Sequence, residues 1–261
     1  MGEIDLKKII FVVGLHRSGT TILTDILASH DDVTGLSLET APANEGQHMQ
    51  TLYPTDIDCG GMGNFALNKD AHLTEEEERR EVYRRQILKE WWRNRDKDRN
   101  VIVEKSPRHL LMVRFLYSLF PEAKFVVTMR HPIPVSYSTK KFCRWPFRPF
   151  KQAPLFHLMR NWVSGYNTWR SDCTYINFED YREVKYEEFA ERTEHVIAEL
   201  LNFIGLSSDG VSEEKLRSVG NRNEKYMAKW ENLKKGRFGY MYFRVLRSFF
   251  SKKLYPYNYS L

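Results

Sequence analysis

The sequence predicts an α/β fold, one domain over residues 1–261 with a central parallel sheet flanked by helices. Three observations predict it. Short β-branched apolar runs at Ile9–Val13, Val101–Val103 and Phe125–Val127 are each followed by a turn and then by apolar residues at helical spacing. Such alternation builds βαβ units with parallel strands. A cation follows each run, at Arg17, Lys105 and Arg130, and parallel sheets bind ligands beyond the carboxyl ends of their strands.

The elements follow in order. After the first strand, Ile22, Leu23, Ile26 and Leu27 mark a helix, and a second strand is expected near Val33 to Leu36. Residues 39 to 71, with Pro54, Gly60, Gly61 and Gly63, read as a loop-rich insertion over a site. Thr74-Glu75-Glu76-Glu77 reads as a capping box opening a helix that carries Tyr83, Ile87 and Trp91 on one row. Leu110 to Leu119 predicts a further helix, as do the residues after Pro132 and those from Pro154 to about Asp172. A strand near Val184 precedes a helix over Val196 to Ile204, which Gly205 is placed to end. The tail, with Lys252, Lys253 and several tyrosines, shows no clear pattern.

Bulk properties narrow the classes. Apolar residues make up 42% of the 261 residues, enough for a core, and no run approaches the roughly 20 residues of a membrane span. Cys59, Cys143 and Cys173 are widely spaced, without metal-ligand or disulfide-framework spacing, so a reducing cytoplasm is the expected location. The formal charge of +6 favours a polyanionic ligand. No nucleic-acid-binding module stands out, and neither a nucleic acid nor a membrane is an expected partner.

Gly14 and Gly19 have P-loop spacing between a strand and a helix, where backbone N–H groups and the helix dipole hold an anion. A Walker loop needs lysine next, and here that position is Thr20. The cation lies inside the loop instead, at Arg17, whose planar fork suits a sulfonate or bridging oxygen. Arg130 at a strand end and Ser138 eight residues on form a second candidate anion site. Two separate anion sites fit a nucleotide phosphorylated at two places.

At Gly14-Leu15-His16-Arg17-Ser18-Gly19-Thr20-Thr21 the chain resembles the 5′-phosphosulfate loop of sulfotransferases that use 3′-phosphoadenosine 5′-phosphosulfate (PAPS). Arg130 through Ser138 resembles their 3′-phosphate motif, and Val184 through Phe189 a strand-end segment whose tyrosine lies near adenine. The resemblance implies cofactor contacts at Arg17, Ser18, Gly19, Thr20, Thr21, Arg130, Ser138 and Tyr186. Asn44 to His48 and Glu104-Lys105-Ser106-Pro107 are similar to bacterial members, and the latter also to heparan sulfotransferases, whose lysine lies by the sulfonate. Pro107 stands where cytosolic animal enzymes carry a catalytic histidine, so that role does not transfer. Lys234-Lys235-Gly236 faintly resembles another 3′-phosphate loop.

The expected reaction is transfer of a sulfonate from PAPS to a hydroxyl or amine of a small-molecule acceptor, with adenosine 3′,5′-bisphosphate as product and no metal. The resemblance implies a place in bacterial secondary metabolism. Lys105 and Arg17 are the candidate charge stabilisers. His48 is the first candidate base, for its near-neutral pKa. Glu39, which resembles the base position of tyrosylprotein sulfotransferases, is second and Glu45 third. His16 and His131 are expected to pack or cap. The competing readings are a P-loop kinase of a small metabolite and a non-catalytic nucleotide-binding module.

Overall fold

The computed structural model of the chain describes residues 6–76, 78–143 and 152–261. Its strands are β1 (Lys8–Val13), β2 (Val33–Thr34), β3 (Val101–Lys105), β4 (Lys124–Met129) and β5 (Tyr181–Lys185). They form one five-stranded sheet in the order β2-β3-β1-β4-β5, with every pairing parallel. The helices are α1 (Thr20–Leu27), α2 (Arg80–Arg93), α3 (Val113–Leu119), α4 (Pro132–Thr139), α5 (Leu155–Asp172), α6 (Tyr186–Glu191), α7 (Thr193–Ile204), α8 (Glu213–Arg217), α9 (Glu224–Leu233) and α10 (Arg237–Leu254).

β1 is the central strand, and its unbroken apolar run is what burial on both faces demands. Ile10 and Val12 pack with Leu23 and Ile26 of α1 and Val196, Ile197 and Leu200 of α7. Ile9, Phe11 and Val13 face the opposite layer, which α2, α3, α5 and α10 supply. Phe11 stacks on Phe125 with ring centroids 5.1 Å apart and meets Trp91 edge-on at 5.9 Å. Gly205 ends α7 in the left-handed conformation, φ 80°.

Two elements depart from expectation. The capping box at Thr74 does not form; α2 begins at Arg80. Glu75 is drawn into a bidentate pair with Arg114 of α3 (2.8 and 2.5 Å), while Glu76 accepts from the Arg79 N–H, and Glu77 lies outside the described residues. The tail is not featureless: α9 and the 18-residue α10 close the far side of the core. All three cysteines are free. No helix among the described residues is long and apolar enough to cross a membrane.

The register fixes where the chemistry stands. Val12 pairs with Lys105, so the end of β3 sits beside the turn that leaves β1. Met129 pairs with Lys185, which sets Arg130 and Tyr186 side by side one residue beyond the sheet. Phe11→Ala removes a fully buried ring from the centre of this sheet. It should lower stability by about 3–5 kcal/mol, measured as a fall in the urea midpoint at unchanged slope.

Candidate functional site

The turn from Gly14 to Gly19 is built against its neighbours. A Cβ on Gly14 would stand 2.3 Å from Thr128 Oγ1, and one on Gly19 would stand 2.6 Å from the Tyr186 ring. Gly19 adopts φ 99° and Arg17 φ 68°, left-handed values that for arginine cost on the order of 1 kcal/mol or more. The buried Tyr166 hydroxyl fastens the turn, donating to Thr128 O (2.8 Å) and lying 3.2 Å from Ser18 Oγ. No side chain caps α1, so its first N–H groups face the turn.

On one side of the turn the cations gather. Arg17 Nε donates to Ser138 Oγ (2.9 Å), which joins the two sequence motifs directly. Arg130 Nη1 donates to Arg17 O (2.9 Å) and its Nε to Asn223 Oδ1 (2.8 Å), and its guanidinium lies 4.1 Å from the Tyr186 ring centre. Arg130 Nη2 and Ser136 Oγ are buried with no hydrogen-bond partner among the described residues. Such atoms are costly to leave unpaired, and an anion would satisfy them. A cavity of about 370 Å³ opens here, lined by Arg17, Thr20, Thr21, Arg130, Ser138 and Tyr186 from the motifs. Lys215, Arg222, Lys225 and Tyr226 close it from the C-terminal segment. Burial alone would raise the Tyr226 phenol, yet a hydrogen bond to Ser138 and the charges of Lys225, Lys141 and Arg17 hold it below its ordinary value.

On the other side sits a mixed cluster. Lys105 Nζ, 4% exposed, donates to Glu45 Oε1 (2.8 Å) and to Ala43 O (3.3 Å). Gln47 clamps the cluster: its Nε2 donates to Glu45 Oε2 (2.6 Å), its Oε1 accepts from the Asp56 N–H (2.9 Å), and its own N–H donates to Ser106 Oγ (3.0 Å). Asp56 stands between two imidazoles, with His16 Nε2 at 3.2 Å and His48 Nε2 at 3.6 Å. His48 Nε2 is also 3.8 Å from Glu45. Burial pushes the Asp56 carboxyl up, but the hydrogen bond and charge of His16, with the charge of His48, hold it below the usual carboxylate range. His16, Glu45 and Asp56 each bring a donor atom within 4.8 Å of the others, a spacing that these ion pairs account for. Behind the cluster, Glu104 ties Gly46 N (3.0 Å), Ser106 Oγ and His109 Nδ1 (2.7 Å) into a buried network that ends at the Tyr53 hydroxyl.

Thus His48, Lys105 and Glu45 come together, with Arg17 across the turn. Glu39 is exposed in a turn after β2 and joins none of these contacts. Tyr186 is buried over Gly19 and donates to Gly220 O (2.8 Å). His131 caps α4, its Nδ1 accepting from the Ile133 N–H (3.2 Å). His16, by contrast, belongs to the ionic cluster and not to a cap. Lys234 pairs with Glu231, and Lys234-Lys235-Gly236 does not line the cavity. Sequence reasoning missed Asp56, Asn223, Arg222 and Lys225; the polar, aperiodic stretch 220–225 was the available signal for the last three.

A parallel sheet with a glycine turn and buried cations at its carboxyl edge defines an anion-handling α/β protein of the doubly wound class. Residues 10–210 match the sulfotransferase family, and the chain belongs to it. It is 25% identical over 150 residues to the nodulation protein NoeE of Sinorhizobium fredii, a segment covering 54% of this chain. The match spans 33% of that relative's length. The sulfotransferase STF1 of Mycobacterium tuberculosis has a TM-score of 0.57 at 17% identity, over 86% of this chain and 74% of that one. A sulfotransferase from Alicyclobacillus acidocaldarius has a TM-score of 0.52 at 16% identity, over 100% and 98%. Both share the fold.

Asp56→Asn should cost about 1–3 kcal/mol at neutral pH by unpairing two imidazoles. The Asp56 carboxyl is held below its unfolded value, so its contribution is present above that value and lost as pH falls through the folded one. Urea titrations should show the gap between wild type and variant narrowing below about pH 4.

Proposed function

We propose that the chain transfers a sulfonate from PAPS to a hydroxyl or amine of a small-molecule acceptor by in-line displacement. The observation that carries this is the pair of linked cations: Arg17 in the glycine turn and Arg130 with an unpaired, buried Nη2. The cavity they line also carries Lys215, Arg222 and Lys225, which supports a doubly phosphorylated nucleotide as its ligand. Ser18, Gly19, Thr20 and Thr21 would offer backbone N–H groups and hydroxyls to the 5′ end. Arg130, Ser138 and, from the C-terminal segment, Arg222 and Lys225 would hold the 3′ phosphate. Tyr186 would border the base.

In this reading the acceptor oxygen or nitrogen forms the new bond to sulfur as the bond from sulfur to the phosphate oxygen breaks. Adenosine 3′,5′-bisphosphate leaves with the electron pair. Lys105 and Arg17 offset the charge that builds on sulfonyl and leaving oxygens, and the protein otherwise positions the partners. His48 takes the acceptor proton. Asp56 and Glu45, within ion-pair distance of His48 Nε2, favour the imidazolium that results. No step calls for a metal, and the site has cations of its own.

Adenosine 3′,5′-bisphosphate should raise the melting temperature more than ATP with magnesium does, and Arg130→Ala should abolish most of that rise. A larger shift with ATP would favour a kinase and sink the reading. Lys105→Ala should lower kcat by roughly 10²–10³ with donor binding kept. His48→Ala should remove the acidic limb of the pH–rate profile. A mass-spectrometric screen of acceptors with PAPS separates the enzyme from a non-catalytic nucleotide-binding module, which would bind the bisphosphate and transfer nothing.

A further inference from the structure

α10 carries apolar residues on two faces. Phe243, Leu246, Phe250 and Leu254 are buried in the core. Phe238, Met241, Val245 and Phe249, spaced three, four and four residues apart, form an outward row that is 81%, 61%, 52% and 40% exposed. Burying a side chain of this size is worth roughly 1.5–3 kcal/mol, so four in one row mark a contact surface and not scattered surface residues.

The charge around that row is one-sided. Lys234, Lys235, Arg237, Arg244, Arg247, Lys252 and Lys253 lie on this stretch, and residues 232–261 contain no aspartate or glutamate. A second stretch, 140–151, repeats the pattern with five cations, four aromatics and no acid. Together 140–151 and 234–253 hold twelve of the chain's 40 lysines and arginines and none of its 34 acids, so the remainder carries a formal charge of −6 where the whole carries +6. Residues 144–151 lie outside the described residues; Phe156, beyond their C-terminal end, meets α10. Phe156 packs on Phe249 and Phe250 (4.8 and 5.2 Å), and its N–H donates to the Tyr242 hydroxyl (3.0 Å). Phe142, itself 57% exposed, lies 5.4 Å from the Arg17 guanidinium.

We infer that the outward face of α10 docks on an anionic lipid bilayer surface. Phe238, Met241, Val245 and Phe249 enter the acyl boundary, and the flanking lysines and arginines meet the headgroups. Glu231 answers Lys234, but residues 232–261 hold no acid, so a second copy of the chain would bring the remaining like charges of α10 against one another. A nucleic acid would leave the aliphatic Met241 and Val245 without bases to stack on them. The expectation of no membrane partner rested on the lack of a spanning stretch; surface docking needs none.

Vesicle sedimentation tests this with the full chain. The protein should sediment with phosphatidylcholine vesicles containing phosphatidylglycerol and not with phosphatidylcholine alone. Met241→Glu/Val245→Glu and, separately, Arg244→Ser/Arg247→Ser should each weaken binding by about tenfold or more. Their melting temperatures and their stabilisation by adenosine 3′,5′-bisphosphate should match wild type, which separates this result from any failure of the donor assignment. Undiminished binding by both variants, or equal binding to neutral vesicles, overturns the inference. So does a wild-type dimer that Met241→Glu/Val245→Glu turns into monomer, or tight binding of a mixed-sequence DNA oligonucleotide with no binding to anionic vesicles.

Discussion

The turn between Gly14 and Gly19 is the constraint on which the rest depends, because both charged regions are hung from it. Arg17 projects to one side and meets Ser138 and, through its carbonyl, Arg130. His16, one residue earlier, projects to the other and meets Asp56. A left-handed residue at 17 is what allows neighbouring side chains to diverge in this way. The turn keeps that shape because Thr128 of β4 fills the space beside Gly14 and Tyr166 of α5 reaches both Ser18 and Thr128. The sheet register therefore sets the distance between the two regions.

The cluster around Asp56 has a charge imbalance with consequences for chemistry. Two carboxylates, Glu45 and Asp56, face one ammonium, Lys105, in a buried setting. Two imidazoles complete the group, and a proton on either one brings it to neutrality. His48, at 3.6 Å from Asp56, is too far for a strong hydrogen bond yet close enough to feel the charge. His16 is closer, at 3.2 Å. The two histidines compete for one counter-ion, and a change at the anion loop that shifts His16 alters what Asp56 offers His48.

Much of this was legible in the sequence, for local reasons. Arg17, Lys105, Arg130 and Ser138 each follow a short apolar strand directly, so identifying the strand places the residue. Asp56 was not legible: it meets His16 and His48 only after the irregular insertion folds back, and no periodicity in 39–71 records that return. The capping box at Thr74 is absent because the helix begins only at Arg80, and Arg114, remote in sequence, takes Glu75 instead. α10 escaped notice because its apolar residues occupy two opposite faces, which erases the one-sided stripe by which a helix is recognised. The feature that hid the helix is the feature that gives its outer face a role.

Thr20 stands where a triphosphate loop carries its lysine. Its side chain is 4% exposed, packed between the strand end and the turn, and its Cγ2 lies 3.2 Å from where a Cβ on Gly14 would be. Arg17 approaches from within the turn, anchored through Nε to Ser138 with the Phe142 ring 5.4 Å away. Among the described residues Nε is the nitrogen that donates, and Arg17 also lines the cavity. A planar fork held in place at its base can span two oxygens of one group, whereas a lysine on a flexible stem offers a point charge. The turn trades reach for orientation, and orientation is what a transfer with little covalent participation by the protein requires.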